Sequence, residues 1–162
     1  MRIAIDSDEA ATELKHEIVT FLKSLEMDIE DLNYKDEDNN YYPVIGYNLA
    51  QHIKNKKYDR GILLCGTGIG MAIIANKVQG VYAAVCHDTF SAERLVKSND
   101  AQIITLGARV VGIELAKRIV LTWLDSSGLG DRSIKKVIQL KDLEQKSFSL
   151  EKKEYINEEN YK

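Results

Sequence analysis

The hexapeptide Cys65-Gly66-Thr67-Gly68-Ile69-Gly70 is the stretch of this sequence best suited to chemistry. Its glycines alternate, so it is not the dinucleotide fingerprint: Met71 stands where that pattern needs its third glycine. No Gly-Lys-Ser/Thr follows, so it is not a Walker A loop either. It is a glycine turn after an apolar run and before a helical stretch. Bare backbone N–H groups at a helix start form an anion cradle. A thiol just before such a turn has its thiolate favoured. A thiolate beside an oxyanion cradle is what proton abstraction next to a carbonyl requires, the base taking the proton while the amides hold the enediolate. The plainer reading is that Cys65 is a small core residue and the glycines only turn the chain.

Other polar groups are expected at the carboxyl ends of predicted strands. Asp8 and Glu9 follow the first strand, and Asp8 is also a natural helix N-cap. Asn99 and Asp100 precede the fifth strand on a helix-to-strand turn, and Arg109 follows it. Arg132 and Lys136 sit at the start of the last helix. Arginine offers paired donors that match phosphate, and lysine a point charge, although either is commonly just a solvated surface residue. Cys86-His87-Asp88 resembles a catalytic trio only superficially, because consecutive residues of an extended segment face opposite sides. Cys86 therefore reads as structural. His16 and His52 have no metal-ligand spacing, and a zinc site is not expected.

The elements that must position these groups alternate between short apolar runs and amphipathic stretches, which predicts α/β layering. Strands are expected at Arg2–Asp6, Met27–Leu32, Gly61–Cys65, Val81–Cys86 and Gln102–Leu106. The third is continuously apolar, as in a central parallel strand covered on both faces. Helices are expected at Ala10–Leu25, from Pro43 onward, and at Met71–Lys77, Thr89–Lys97, Glu114–Asp125 and Ile134–Leu143. Tyr34–Tyr41 is acidic, Asn-rich and aperiodic, and reads as a loop. Residues 1–143 form one domain, and 144–162 a charged, weakly patterned appendage. Ligands of such a sheet bind at the carboxyl ends of its strands.

Composition sets outer bounds. A chain of 162 residues with 44% hydrophobic and 29% charged residues is ordinary for a soluble single domain. A formal net charge of −3 gives no general basic field for nucleic acid. No apolar run approaches a membrane span, and the N-terminus does not read as a signal peptide. Two cysteines without a CxxC pair fit a reduced, cytoplasmic protein.

The run Asp59-Arg60-Gly61-Ile62-Leu63-Leu64-Cys65-Gly66-Thr67-Gly68-Ile69-Gly70-Met71, followed by Ala75-Asn76-Lys77, resembles the hallmark of the ribose-5-phosphate isomerase B and galactose-6-phosphate isomerase family. Ser7-Asp8, Tyr42-Pro43, Cys86-His87-Asp88, Ser98-Asn99-Asp100-Ala101, Leu106-Gly107-Ala108-Arg109-Val110-Val111-Gly112 and Leu121-Thr122-Trp123-Leu124 extend the resemblance over about residues 1–140. It implies a three-layer α/β/α sandwich around a five-stranded parallel Rossmann-like sheet, with strands one and three adjacent. It implies a homodimer or tetramer with active sites shared between subunits, the C-terminal basic residues coming from the partner. It implies a phosphorylated sugar substrate and neither metal nor organic cofactor. Cys65 would be the proton-transfer base with Thr67 beside it, and Gly66, Gly68, Ile69 and Gly70 would supply the cradle. Asp8 and Asn99 would hold sugar hydroxyls, and Arg109, Arg132 and Lys136 would surround the phosphate.

Three departures bear on substrate. Glu9 stands where the ribose enzymes have histidine, Ser98 replaces the histidine assigned to opening the furanose ring, and Ser133 replaces another after Arg132. The isomerisation machinery is intact and the ring-opening machinery is not. A four-carbon sugar carrying phosphate on O4 cannot close a furanose, so the substitutions favour a tetrose phosphate such as erythrulose 4-phosphate. Ribose 5-phosphate, a galactose-6-phosphate isomerase subunit, a non-catalytic sugar-phosphate-binding subunit and a redox thiol are the alternatives.

Overall fold

The computed structural model describes residues 1–34 and 41–151. Five strands, β1 (Ile3–Ser7), β2 (Ile29–Asp31), β3 (Arg60–Cys65), β4 (Ala83–Val85) and β5 (Ile103–Gly107), form one sheet in the order β2-β1-β3-β5-β4. Every pairing is parallel. The carboxyl ends of all five strands therefore lie along one edge. The expected adjacency of the first and third strands is present, with Ser7 in register with Leu64.

Helices α1 (Thr12–Ser24), α4 (Thr89–Lys97) and α5 (Ile113–Asp125) cover one face through Leu14, Ile18, Leu95, Ile119 and the fully buried Trp123. Helices α2 (Tyr42–Lys54) and α3 (Ile69–Ala75) cover the other through Ile45, Leu49, Met71 and Ala75. This is the three-layer sandwich expected from the alternating pattern. The three central strands β1, β3 and β5 have mainly β-branched or leucine side chains on both faces, as covered parallel strands do.

Several boundaries differ from the sequence expectation. Pro43 falls in the first turn of α2, where its missing N–H costs nothing. Helix α3 begins at Ile69, two residues before the expected Met71, because Gly68 adopts a left-handed conformation (φ 79°) and turns directly into it. The fourth strand pairs only over Ala83–Val85, at the sheet edge. Helix α6 runs from Asp131 to Glu151 instead of stopping at Leu143. It is held past that point by Glu144, which accepts from Tyr82 Oη (2.9 Å) and the Gly80 amide (3.1 Å). The expected loop at Tyr34–Tyr41 falls largely on residues 35–40, outside the described residues, as do Tyr155, Ile156 and Tyr161 of the charged tail.

Candidate active site

The Cys65 thiol sits at the carboxyl end of the central strand β3, 5% exposed. The Gly68 amide donates to its Sγ at 3.0 Å. Gly68 is required twice over. Its φ of 79° suits glycine, and a Cβ there would lie 3.0 Å from the Leu106 backbone carbon. Its carbonyl accepts from the buried Thr105 hydroxyl at 2.8 Å. The Ile69 amide donates to Thr67 Oγ1 (3.3 Å). Two of the expected cradle amides, those of Gly68 and Ile69, are thus engaged within the loop. Gly70 is glycine because the Tyr42 ring fills the space a Cβ would need, 2.6 Å from its Cε2.

A second turn clasps the first. Ala108 N–H donates to the Cys65 carbonyl (2.9 Å) and Arg109 N–H to that of Gly66 (3.1 Å). The Arg109 side chain lies over Gly66, whose Cβ would sit 3.6 Å from its Cδ and Nε. From β1, the Asp8 amide donates to the Leu64 carbonyl (3.2 Å), which draws Asp8 beside Cys65. The Asp8 carboxylate caps the short 3₁₀ turn Glu9–Ala11, accepting from the Ala10 amide (3.1 Å). Burial pushes its carboxyl above the usual range; the Ala10 amide opposes this, Glu9 adds to it, and Arg109 opposes it. Asp8 is therefore both the N-cap and a neighbour of the thiol. Glu9 is exposed beside it.

One chain thus gathers Cys65, the Gly66–Gly70 loop, Thr67, Asp8, Glu9 and Arg109. It does not gather the rest. Asn99 was grouped above with residues near strand ends, but Ser98 ends α4 and Asn99 follows it, before β5. Gly107, in register with Cys65, stands at the far end of β5 from Ile103, about 13 Å away at roughly 3.3 Å per residue. Ser98 and Asn99 therefore lie on the edge opposite Cys65, because an α-helix packed on a parallel sheet returns the chain to the amino ends of the strands. Arg132 and Lys136 lie near them. The Gly130 amide donates to the Lys97 carbonyl (2.9 Å), and Lys141 pairs with Asp100 (2.8 Å). Arg132 and Lys136 are both exposed.

Two residues near the site were not singled out from the sequence. Thr105, the lone hydroxyl in an otherwise apolar strand, holds the Gly68 carbonyl. His87, set aside above as part of an apparent trio, accepts the Gly107 amide on Nε2 at 3.2 Å. The signal for His87 was position, just past the carboxyl end of β4, whereas Thr105 stands in the middle of β5 and only its hydroxyl in an apolar run marked it. Cys86 is 2% exposed, and burial, with the Asp88 charge adding, pushes its thiol up to about 12. It is an inert core residue, as expected. Among the described residues, no group of three or more His, Cys, Asp or Glu could hold a metal ion.

A parallel α/β sheet whose central strand delivers a thiol into a glycine loop, flanked by a carboxylate and an arginine, is an arrangement suited to isomerisation by proton transfer. Residues 3–140 match the model of the Ribose/Galactose Isomerase family, and the chain belongs to that family. It is an enzyme, a sugar-phosphate isomerase. It is 52% identical over 138 residues to D-erythrulose-4-phosphate isomerase of Pectobacterium atrosepticum, covering 85% of this chain and 91% of that one. It is 48% identical to ribose-5-P isomerase B of Listeria innocua, covering 91% and 99%. The structure of ribose-5-phosphate isomerase B from Clostridium thermocellum superposes with a TM-score of 0.84 at 41% identity, covering 91% and 99%.

Proposed function

We propose that the chain interconverts an aldose and a ketose phosphate through a cis-enediolate, with Cys65 as base and a four-carbon sugar as preferred substrate. The observation that carries the chemistry is the thiol held by the Gly68 amide at 3.0 Å, at the mouth of the loop. In the ketose-to-aldose direction Cys65 takes a proton from C1. The C–H electron pair becomes the C1–C2 double bond, and charge develops on the C2 oxygen, where loop amides can meet it. A proton then passes from the C1 hydroxyl to the C2 oxygen, and return of the carbon-bound proton from Cys65 to C2, as the C1 oxygen becomes the carbonyl, gives the aldose. The preference for a tetrose rests on Ser98 and Glu9, and it agrees with what the Pectobacterium relative acts on by its name. The Listeria relative's name favours ribose 5-phosphate as the second reading.

The active form in this reading is a homodimer, or a tetramer built from such dimers. Ser98, Asn99, Arg132 and Lys136 are too far from Cys65 to complete its site, and a second copy would bring them. Lys136 supplies charge to the phosphate without arginine's paired donors. Both cysteines are free, which suits a reducing cytoplasm.

The deciding experiment is interconversion of C4, C5 and C6 sugar phosphates by the pure protein. Ring opening by a positioned imidazole contributes about 10²–10⁴-fold, so kcat/KM should favour erythrulose 4-phosphate over ribose 5-phosphate by at least about tenfold. Ser98→His, with Glu9→His, should raise ribose activity selectively. Equal or better turnover of ribose 5-phosphate by the unmodified chain replaces the tetrose reading with the pentose one.

A further inference from the structure

The ladder between β4 and β5 ends early. Ala83, Ala84 and Val85 pair with Ile103, Ile104 and Thr105, and the Cys86 amide adds one more bond, to the Thr105 carbonyl at 3.1 Å. Two residues further along β5 the Gly107 amide points toward the same neighbour. The acceptor it meets is not backbone but the ring nitrogen Nε2 of His87, at 3.2 Å. A ring nitrogen accepts only when it carries no proton, so His87 is neutral here with its hydrogen on Nδ1.

Gly107 is the pivot of the turn that carries Arg109. Its carbonyl accepts from Val110 (3.0 Å) and Val111 (3.1 Å). A Cβ on it would lie 2.7 Å from Thr67 Cα, so its backbone is in direct contact with the catalytic loop. The next two amides, of Ala108 and Arg109, are tied to the carbonyls of Cys65 and Gly66. His87 therefore fixes one side of the peptide whose other side starts the Arg109 turn, in a place where β4 has already left the sheet.

We propose that His87 is a positioning residue of this active site: its neutral ring anchors the Gly107 amide and thereby sets where Arg109 presents its guanidinium over Gly66. The inference rests on the reading of Arg109 as a phosphate ligand. His87 acts through that turn and not as an acid or base on the sugar.

The test separates the acceptor from the ring. His87→Phe keeps a ring and removes the acceptor; His87→Gln removes the ring and can place an amide oxygen near the site of Nε2. With the sugar phosphate that the unmodified enzyme turns over fastest, His87→Phe should raise KM about three- to tenfold, the worth of one hydrogen bond, with kcat within about twofold. His87→Gln should restore KM to within about twofold of the unmodified enzyme. In an Arg109→Ala background the same His87→Phe change should add nothing further, since both act on one contact. Thermal melting of each variant shows that the fold is kept. A KM that follows the ring instead of the acceptor, or a His87→Phe effect that persists undiminished without Arg109, overturns the proposal. Arg109→Ala alone with unchanged KM would instead remove the phosphate reading beneath it, so the two failures are distinguishable.

Discussion

Cys65 and Cys86 carry the same functional group, one ending β3 and the other just past β4, but their surroundings differ. Cys86 is enclosed by the α1/α4/α5 layer with its thiol pushed up to about 12, whereas Cys65 meets a backbone donor at a turn. Cys65→Ala is expected to lower kcat by at least about 10²-fold, with binding of inorganic phosphate little changed, and Cys86→Ala to leave kcat nearly intact. Full activity in the Cys65 variant would end the case for a cysteine base. Asp6 provides a test at the same scale. Its carboxylate is buried, accepts from the Ser7 (2.8 Å) and Tyr34 (3.0 Å) amides, and lies 3.4 Å from Lys15 Nζ. Burial nonetheless raises its pKa above 3.8, outweighing those amides and Lys15. Below that unfolded value both states hold the proton. As pH rises through the higher folded value, the native state must give up a proton the unfolded state has already lost, and stability falls. Asp6→Asn keeps an acceptor and removes the charge, so its melting temperature relative to the unmodified protein should climb from about pH 4 to about pH 7. The opposite trend would mean that the Lys15 pairing outweighs burial.

At the scale of elements, the site is a contact between two turns. The loop after β3 and the turn after β5 touch backbone to backbone at Thr67 and Gly107, which leaves no room for a side chain. Gly107→Ala should push the turns apart, and displacements of about 1 Å near a reacting centre cost on the order of 10²-fold, so kcat/KM should fall at least tenfold. Gly112, which starts α5 with nothing within 4 Å of a Cβ and a φ of −74°, is the control. Gly112→Ala should change stability by less than about 1 kcal/mol and leave activity intact. Comparable losses in both variants, measured by kinetics and thermal melting, would show general glycine intolerance instead of a specific contact. The elements least legible in sequence were those shaped by distant partners. Helix α6 reads as ending at Leu143, because the residues beyond it lack an apolar stripe. What extends it is Glu144 reaching Tyr82 and Gly80, a contact between residues more than 60 positions apart.

At the scale of the whole molecule, the proposed site residues of the described chain fall on opposite edges of one sheet. Cys65, Asp8 and Arg109 occupy the carboxyl edge; Ser98, Asn99, Arg132 and Lys136 occupy the other. In the dimer proposed above, a two-fold pairing that sets one edge against the other would make two complete sites. Mixing Cys65→Ala with Arg132→Ala protein should then restore activity, because each hybrid has one site built entirely from unmutated residues. After random exchange the recovered rate should approach about one quarter of the unmodified enzyme. No recovery, with hybrids verified by mass spectrometry, would mean that each site is built within one chain.

The sequence by itself determined the layering, the order of the elements and the grouping of polar residues around Cys65. These depend on local pattern: apolar runs make covered strands, and a glycine loop directly between a strand and a helix occupies the carboxyl edge by necessity. It also exposed the departures at Glu9 and Ser98, since residue identity is enough for that. Only the tertiary structure decided which edge each polar group occupies. Asn99 lies eight positions before Gly107 and Asp8 lies 57 positions before Cys65, yet only Asp8 shares the thiol's edge. The physical reason is that every helix reverses the chain across the parallel sheet, so nearness in sequence to a strand says nothing until its direction is known. The role of His87 was hidden for a related reason: the amide it accepts belongs to a strand 20 residues away, and only the early end of β4 leaves that amide for a side chain.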